Sequence, residues 1–405
     1  MRLTPQNREI QKSGPRLPHP LRLIAALAAG ALLSLTACAV HKSPSADQLG
    51  AGDCDASSGL HEGLYTTIPT DNGAQSTFFR DTLCSIRNEK SAVDLATFKI
   101  TSKEVADELI EAHERGVAVR IVADNRLADD AVSRSLQEHL GSDTGAESFI
   151  LFCDHSCFNP GKGVQHAKIM VFEGTGQTVF GSTNLSPDNL FKSSGVDLVT
   201  NDPNLRRSSI DYLRDLVHPA SKIATPGAAS QDGERAISFS PYPSENYDPI
   251  RRLLNRTECK PGGEKTTVDI AMYDITWGVR PVVERIAELA KGGCAVRLII
   301  NGNRDDPFHQ ERIEIAAYLR KAGVQAIHLA DEKPQFPFIV HDKLVVVSDP
   351  SGHGKRKGTV LFGSQNATRG AVVKNGESMV RSTNEDDVTE VAAHARALFK
   401  ATMGT

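Results

Sequence analysis

Aromatic residues are scarce in this sequence: they make up 5% of it, and Trp277 is the only tryptophan. This leaves little for the aromatic belt of a membrane protein or for a platform on which nucleic-acid bases stack. Gly52, Gly161 and Gly163 do not form an ordered phosphate-binding loop. After residue 38 there is no apolar run long enough to predict a membrane helix. These absences argue against a phosphate-loop enzyme and against a protein that crosses the membrane several times.

Positive charge is not in excess either. The chain has 46 Lys and Arg residues against 50 Asp and Glu residues, which gives a formal net charge of −4. Residues 1–37 hold five of the positive charges and one negative charge, so the rest of the chain carries −8. This balance does not favour a general nucleic-acid binder, whose affinity depends on Lys and Arg that neutralise phosphates. A local basic groove is still compatible with the negative total.

The N-terminal residues have the pattern of an export signal. Basic residues precede an apolar run at residues 23–35, which contains no acidic residue, and this predicts a signal peptide over residues 1–37. The Leu-Thr-Ala-Cys sequence that ends at Cys38 resembles the bacterial lipobox, which implies lipidation of Cys38 and attachment to a membrane. Plain secretion and a retained anchor helix are the alternatives, although the run is short for a membrane span.

The composition of residues 38–58 is typical of a flexible tether, because Ser, Ala, Gly and Asp dominate it. Six cysteines follow Cys38, and an even number in an exported chain suggests disulfides. Proximity in the sequence favours three pairs, namely Cys54 with Cys84, Cys153 with Cys157, and Cys259 with Cys294. A zinc site at Cys153 and Cys157 with the nearby His155 is the alternative.

The sequence contains a long internal repeat. VDLATFKI at Val93 is matched by VDIAMYDI at Val268, an offset of 175 residues. This period is far longer than that of a solenoid and indicates duplication of a whole unit. We therefore predict two halves, at residues 59–218 and 235–405, joined by a linker at residues 219–234. Each half begins with a strand-helix-strand order, which predicts parallel pairing through a right-handed crossover.

Each half carries one copy of a polar motif. A His-x-Lys sequence leads into an apolar run, and a second apolar run ends in Gly-Ser-x-Asn. The residues are His166, Lys168, Ser182 and Asn184 in the first half, and His341, Lys343, Ser364 and Asn366 in the second. In a strand, residues i and i+2 project to the same face, so each histidine and its lysine point together. If the two apolar strands pair, the hydroxyl and the carboxamide reach the same end, and this set of donors suits a tetrahedral anion.

These residues, at this spacing and in duplicate, resemble the motif of the phospholipase D superfamily. The acidic position after the lysine is Glu173 in the first copy and Ser348 in the second, with Asp349 one place later. The second copy also carries an insertion at residues 350–358. We expect an α/β fold of two similar lobes, each a mostly parallel sheet flanked by helices. A pseudo-two-fold axis would relate the lobes and give them one shared active site.

The resemblance also implies a mechanism and its residues. It implies that His166 attacks phosphorus and that His341 acts as the general acid. Acidic residues downstream of the motifs, Asp197 and Glu377, would orient the histidines, although a surface acid is the alternative for Asp197. The expected donors to the non-bridging oxygens are Lys168, Lys343, Asn184 and Asn366. No metal ion or cofactor is required.

The leading hypothesis is an exported, membrane-tethered phosphodiesterase of phospholipase D type. It would hydrolyse glycerophospholipids or transfer the phosphatidyl group to an alcohol. An extracellular nuclease that cleaves DNA or RNA is the first alternative, and a non-catalytic phosphate-binding module is the second. No obligate protein partner is indicated. The basic residues Lys355, Arg356 and Lys357 predict a solvated hairpin tip or, alternatively, a head-group contact.

Overall fold

The computed structural model describes residues 54–55, 57–69, 77–158, 162–219, 223–224, 226–259, 265–348 and 358–404. The predicted signal peptide, Cys38, nearly all of the tether and the basic insertion at Lys355 lie outside the described residues. Within the described ranges no helix is both long enough and apolar enough to span a bilayer.

The first lobe runs from β1 to α5. Its strands are β1 Gly63–Thr67, β2 Ala92–Thr97, β3 Ala118–Asp124, β4 Phe149–Cys153, β5 Ile169–Phe172, β6 Gln177–Gly181 and β7 Ser193–Thr200. Its helices are α1 Thr77–Asn88, α2 Lys103–Glu114, α3 Ala131–Leu140, α4 Pro187–Lys192 and α5 Pro203–Val217. Local sequence explains their ends. Ser102 caps α2 by accepting a hydrogen bond from Val105 N, and Asp202 caps α5 in the same way just before Pro203.

The second lobe repeats this order. Its strands are β8 Arg235–Ser240, β9 Thr267–Met272, β10 Ala295–Ile300, β11 Gln325–His328, β12 Ile339–Val340, β13 Lys343–Ser348, β14 Gly358–Gly363 and β15 Glu377–Ser382. Its helices are α6 Pro249–Arg256, α7 Arg280–Lys291, α8 His309–Lys321, α9 Leu329–Glu332, α10 Arg369–Val373 and α11 Glu385–Met403.

The two sheets have the same strand order. The first reads β1-β7-β6-β5-β2-β3-β4, and the second reads β8-β15-β14-β13-β9-β10-β11. The short strand β12 of the second lobe joins the first sheet by pairing with β7. Helices flank both sheets, so the expected α/β fold of two similar lobes is confirmed.

One detail of the expected fold was wrong, because the sheets are mixed and not mostly parallel. The pairs β2/β3 and β9/β10 are parallel, as the strand-helix-strand order predicts. From β5 and β13 onward the strands pair antiparallel within their own sheets. In the first sheet the antiparallel pairing of β5 with β6 follows from their short connection, where Gly176 N donates to Phe172 O. A tight turn can join only antiparallel strands, whereas parallel strands need a long crossover.

A hydrophobic core lies between the two sheets and joins the lobes. It includes Ile169 and Phe180 from the first lobe and Leu344, Phe362 and the α11 residue Phe399 from the second, all almost fully buried. Separate cores cover the outer face of each sheet. The motif strands β5 and β13 are therefore buried on both faces, which gives the residues before them rigid support.

The three disulfides pair as the sequence predicted. Cys54 bonds Cys84, Cys153 bonds Cys157, and Cys259 bonds Cys294. The bond between Cys153 and Cys157 excludes the alternative of a zinc site at these two thiols.

Candidate active site

The two His-x-Lys motifs have the same local geometry. Lys168 Nζ donates a hydrogen bond to His166 O at 2.5 Å, and Lys343 Nζ donates to His341 O at 2.5 Å. Both lysines are buried, with 5% and 1% of their surface exposed. The extended backbone therefore directs each lysine to the same side as its histidine, as the i, i+2 spacing predicts.

An aromatic ring lies beside each motif. The ring of Phe98 is 5.0 Å from the ring of His166, and that of Tyr273 is 5.4 Å from that of His341. Lys168 Nζ lies over the Phe98 ring at 5.6 Å. Both rings follow a repeat strand, β2 or β9, at the same position of the repeat. Sequence reasoning missed them, although the aligned pair VDLATFKI and VDIAMYDI shows an aromatic residue at this place in both copies.

The lobes exchange contacts at the first motif. His166 N donates to Gly376 O of the second lobe at 2.8 Å, and Gly376 N donates to Val164 O at 2.9 Å. The side chain of His166 also contacts the second lobe, because its Nδ1 lies 2.7 Å from Glu377 Oε2. Glu377 is 1% exposed and also accepts a hydrogen bond from Ser364 Oγ at 2.6 Å. A carboxylate of the second lobe therefore orients the histidine of the first.

The second histidine has no equivalent partner. His341 Nδ1 is buried and has no hydrogen-bond partner among the described residues. Asp197, which we expected to orient a histidine, instead accepts hydrogen bonds from Thr183 N at 3.2 Å and Thr183 Oγ1 at 2.5 Å. The predicted orienting role of Asp197 does not match this geometry.

Strand register explains the difference. Asp197 pairs with Gly181 in the first sheet, whereas Met379 pairs with Gly363 in the second. Asp197 is therefore equivalent to Met379 and not to Glu377. Glu377 lies two residues before Met379, and the equivalent residue in the first lobe, two before Asp197, is Gly195. The signal was visible in the sequence, because Glu377 follows its Gly-Ser-x-Asn asparagine by 11 residues and Asp197 follows its own by 13.

The serines and asparagines of the motifs hold the turns together. Ser182 Oγ accepts from Val196 N at 3.1 Å, and Ser364 Oγ accepts from Ser378 N at 2.9 Å. Asn366 Oδ1 accepts from Asp274 N at 3.1 Å, so its amide nitrogen is the group left to donate to a ligand. Asn184 differs, since its amide nitrogen donates to Asn189 Oδ1. The two predicted asparagine donors therefore do not have equivalent hydrogen bonds.

Two histidines and two lysines lie close together in the site, and the carboxylates around them include Glu377, Asp197 and Asp342. Burial lowers the pKa of Lys168 to about 7, against the opposing charge of Glu377, and holds the pKa of Lys343 well below its usual 10.5. Burial also lowers the pKa of His166 to about 4, while Glu377 opposes the shift. Burial, together with Lys343 and Lys168, holds the pKa of His341 well below 6.5. An anion that enters this site would favour the charged forms and raise these pKa values.

A further cation lies at the first motif. The guanidinium of Arg126 stacks over the Phe98 ring at 4.7 Å, and its Nε donates to Asp124 at 2.7 Å. Its side chain is half exposed, with 54% of its surface accessible. Sequence reasoning did not single out Arg126, because an arginine two residues past a strand has no motif of its own. Its position adds positive charge at the edge of the site next to His166.

Comparison with known families agrees with this geometry. Residues 83–216 and 262–403 match the family described as "Cardiolipin synthase, PLD-like domain". The two matched segments cover more than half of the chain and correspond to its two lobes. The protein therefore belongs to this family, within the phospholipase D superfamily. No curated protein matches the chain.

One of the solved structures that match has a TM-score above 0.5 and shares the fold at low sequence identity. The phosphatidylserine synthase of Haemophilus influenzae Rd KW20 is 13% identical, with a TM-score of 0.55, over 79% of this chain and 83% of that one. A polyphosphate kinase from Porphyromonas gingivalis is also 13% identical, with a TM-score of 0.49 over 77% of this chain, and this chain spans only 46% of its length. The phospholipase D family member Nuc from Salmonella typhimurium is 19% identical, with a TM-score of 0.30, over 38% of this chain and 94% of that one.

Proposed function

We propose that the protein is a phospholipase D-type phosphodiesterase that acts on glycerophospholipids. The observation that carries this proposal is the nearness of His166 and His341, one from each lobe, in one buried site with two lysines. Besides burial, the charge of His166 lowers the pKa of His341, and the charge of Lys343 lowers the pKa of His166. Phosphodiesters are anions that resist attack by water, so their cleavage needs a nucleophile, an acid and fixed donors. The two histidines and the lysines are the groups proposed to supply all three.

His166 is the proposed nucleophile. Because its Nδ1–H donates to Glu377, the lone pair of Nε2 is free to attack phosphorus. The bond from Nε2 to phosphorus forms while the bond from phosphorus to the leaving alcohol breaks. The ring then carries a positive charge, which the carboxylate of Glu377 stabilises. This contact supports the role that family resemblance gives to His166.

His341 is the proposed general acid. It gives a proton to the leaving oxygen and later takes one from the incoming water or alcohol, which displaces Nε2 from phosphorus. Because burial and the neighbouring lysines lower the pKa of His341, we expect it to gain its proton together with the anionic substrate. Lys168, Lys343 and the amide of Asn366 would hold the non-bridging oxygens.

Two observations and one prediction support a lipid substrate. The matching family is described by a lipid enzyme, cardiolipin synthase. The chain is acidic overall, which weakens the case for general nucleic-acid binding. The predicted lipid attachment at Cys38 would keep the site close to a membrane. The alternative of a nuclease rests on Arg126 and Phe98, since a cation and an aromatic ring beside the site also suit a nucleic-acid strand.

The proposal is tested by a panel of substrates in excess chelator. We expect release of choline or ethanolamine from phospholipid, and loss of this activity in His166→Ala. The exposed His139 provides a matched control, and His139→Ala should retain the activity. Cleavage of DNA without lipid turnover would replace the proposal with the nuclease.

The order of the two histidines needs a separate measurement. Rapid denaturing quench of a labelled phospholipid reaction should leave the phosphoryl label on His166. Label on His341 would reverse the two roles while leaving the reaction type unchanged.

We also propose that the protein is exported and attached to the membrane by a lipid on Cys38. The charged N-terminal region, the apolar run and the lipobox-like sequence support this location. Wild-type protein should sediment with membranes, and Cys38→Ala should move it to the soluble fraction. Membrane association that is unchanged in Cys38→Ala would refute the anchor.

A further inference from the structure

The second lobe contains a groove that takes no part in the proposed chemistry. It has a volume of about 590 Å³ and lies between α6 and the strands β13, β14, β15 and β8. Val347 on its floor is six residues beyond His341 along the chain, which in extended backbone is about 20 Å. The groove is therefore a separate site, of a size that suits a small amphiphilic ligand.

The repeat shows why the groove is open. Tyr65 and Ser238 occupy the same position of the repeat. Tyr65 pairs with Asp197, which pairs with Gly181. In the same way Ser238 pairs with Met379, which pairs with Gly363, the equivalent glycine of the second lobe. In the first lobe the Tyr65 ring packs on Phe78 at 5.5 Å. In the second lobe the smaller Ser238 stands at this position and lines the groove.

Two further positions show the same reduction in size. Phe172, fully buried in the outer core of the first lobe, corresponds by strand register to Val347. Phe78 corresponds to Leu253 at the repeat offset of 175 residues. The groove is thus produced by smaller side chains at three positions that in the first lobe are filled by large rings.

The charge of the groove differs between the lobes as well. Arg252, Arg256 and Arg381 line it. The same repeat positions in the first lobe hold a threonine, an aspartate and a valine, namely Thr77, Asp81 and Val199. Arg252 and Arg256 are exposed, and neither side chain makes a hydrogen bond or an ion pair with another described residue. Glu258 is the acidic residue among those that line the groove. Because the arginines outnumber it, the groove combines a net positive rim with an apolar floor.

We propose that this groove binds a glycerophospholipid with an anionic head group, without turning it over. The arginines are placed to bind the phosphate, for which the guanidinium is well suited. Leu253, Val347 and Leu361 offer apolar surface to an acyl chain. Such a site would hold the lobe on an anionic membrane while the catalytic site works on another lipid.

Binding to the full chain carrying His166→Ala tests the proposal without turnover. The probe is dihexanoyl phosphatidylglycerol below its micelle concentration, measured by calorimetry, with glycerol phosphate and dihexanoyl phosphatidylcholine as comparisons. Arg252→Gln with Arg256→Gln should weaken binding of phosphatidylglycerol by at least about tenfold. Arg396 and Lys400 on α11 are also exposed and four residues apart, so Arg396→Gln with Lys400→Gln is the matched control and should bind as before.

A second variant fills the groove without changing charge. Val347→Phe restores the side chain of the first lobe and should reduce binding to the same extent. Binding that survives both the arginine and the filling variants would overturn the proposal. Glycerol phosphate that binds as tightly as the lipid would also overturn it, because the apolar floor would then have no role. Failure of the wild-type chain to turn over lipid would refute the proposed function alone.

Discussion

Glu377 links the two lobes at the level of a single side chain. It accepts hydrogen bonds from Ser364 Oγ and Asn375 Nδ2, and it lies 2.7 Å from His166 Nδ1. Burial raises its pKa, but the charges of His166 and Lys168 and these hydrogen bonds hold the pKa below 4.5. Glu377 is thus ionised at neutral pH, as a residue that stabilises a charged imidazole must be.

Replacement of Glu377 tests this positioning role. Glu377→Gln keeps the shape of the side chain but removes the charge, so kcat should fall by about 100-fold or more. KM should change little, because Glu377 contacts His166 and not the substrate. Asp197→Asn, at an equally buried carboxyl that contacts Thr183, should reduce kcat by less than about tenfold. The measurement is kcat and KM of both variants across a range of pH. An equal loss of kcat in the two variants would contradict the positioning role of Glu377.

His166 makes stability depend on pH. Its pKa is lowered from 6.5 to about 4 in the folded protein, so between these values the unfolded chain binds a proton that the folded one does not. The free energy of unfolding should therefore fall as pH drops from 6.5 to 4, by up to about 3 kcal/mol from this residue. Urea denaturation of wild type and His166→Asn at both ends of this range measures it. Equal pH dependence in the two proteins would show that His166 is not the cause.

At this scale the sequence predicted most of the site but not its asymmetry. His166, His341 and their lysines follow from the period of a strand, and Glu377 was predicted to orient a histidine. Asp197 does not make the contact that was predicted for it, because a shift of two residues along a strand keeps the same face yet moves the carboxylate by about 7 Å. The unpaired Nδ1 of His341 depends on this register and could not be read from composition or motif.

At the level of elements, the sequence predicted where the repeat strands lie but only some of the strands with which they pair. The strand-helix-strand order gave the parallel pairs of β2 with β3 and β9 with β10. The motif strands β5 and β13 instead run antiparallel to β2 and β9. The apolar runs before and after the turn are short, and such runs do not show the direction in which a strand pairs. The contact of β12 with the other sheet is set by packing of the lobes.

The disulfides offer a prediction at this scale. Cys259 and Cys294 are separated by 35 residues, whereas Cys153 and Cys157 are separated by 4. A cross-link that closes a longer loop restricts the unfolded chain more. Replacing Cys259 and Cys294 by serine should therefore lower the free energy of unfolding by about 4 kcal/mol, and replacing Cys153 and Cys157 should lower it by about 2 kcal/mol. Chemical denaturation of the two double variants gives the comparison, and a larger cost for the short loop would contradict the loop-entropy argument.

At the level of the whole molecule, both histidines of the site belong to one chain. The lobes share a core, and strand β12 of the second pairs with β7 of the first. A mixture of His166→Ala and His341→Ala proteins should therefore recover no activity beyond the sum of the two. Release of head group by equal amounts of both variants measures this. Recovery in the mixture would indicate that lobes exchange between chains.

The contact between His166 of the first lobe and Glu377 of the second also determines how the protein loses its activity when it is damaged. If the lobes move apart, through cleavage of the connecting chain or partial unfolding, His166 loses the carboxylate of Glu377 at the same moment as it loses His341. Under the proposed mechanism neither half alone could then cleave a phosphodiester. Damage that separates the lobes should therefore abolish the proposed activity completely.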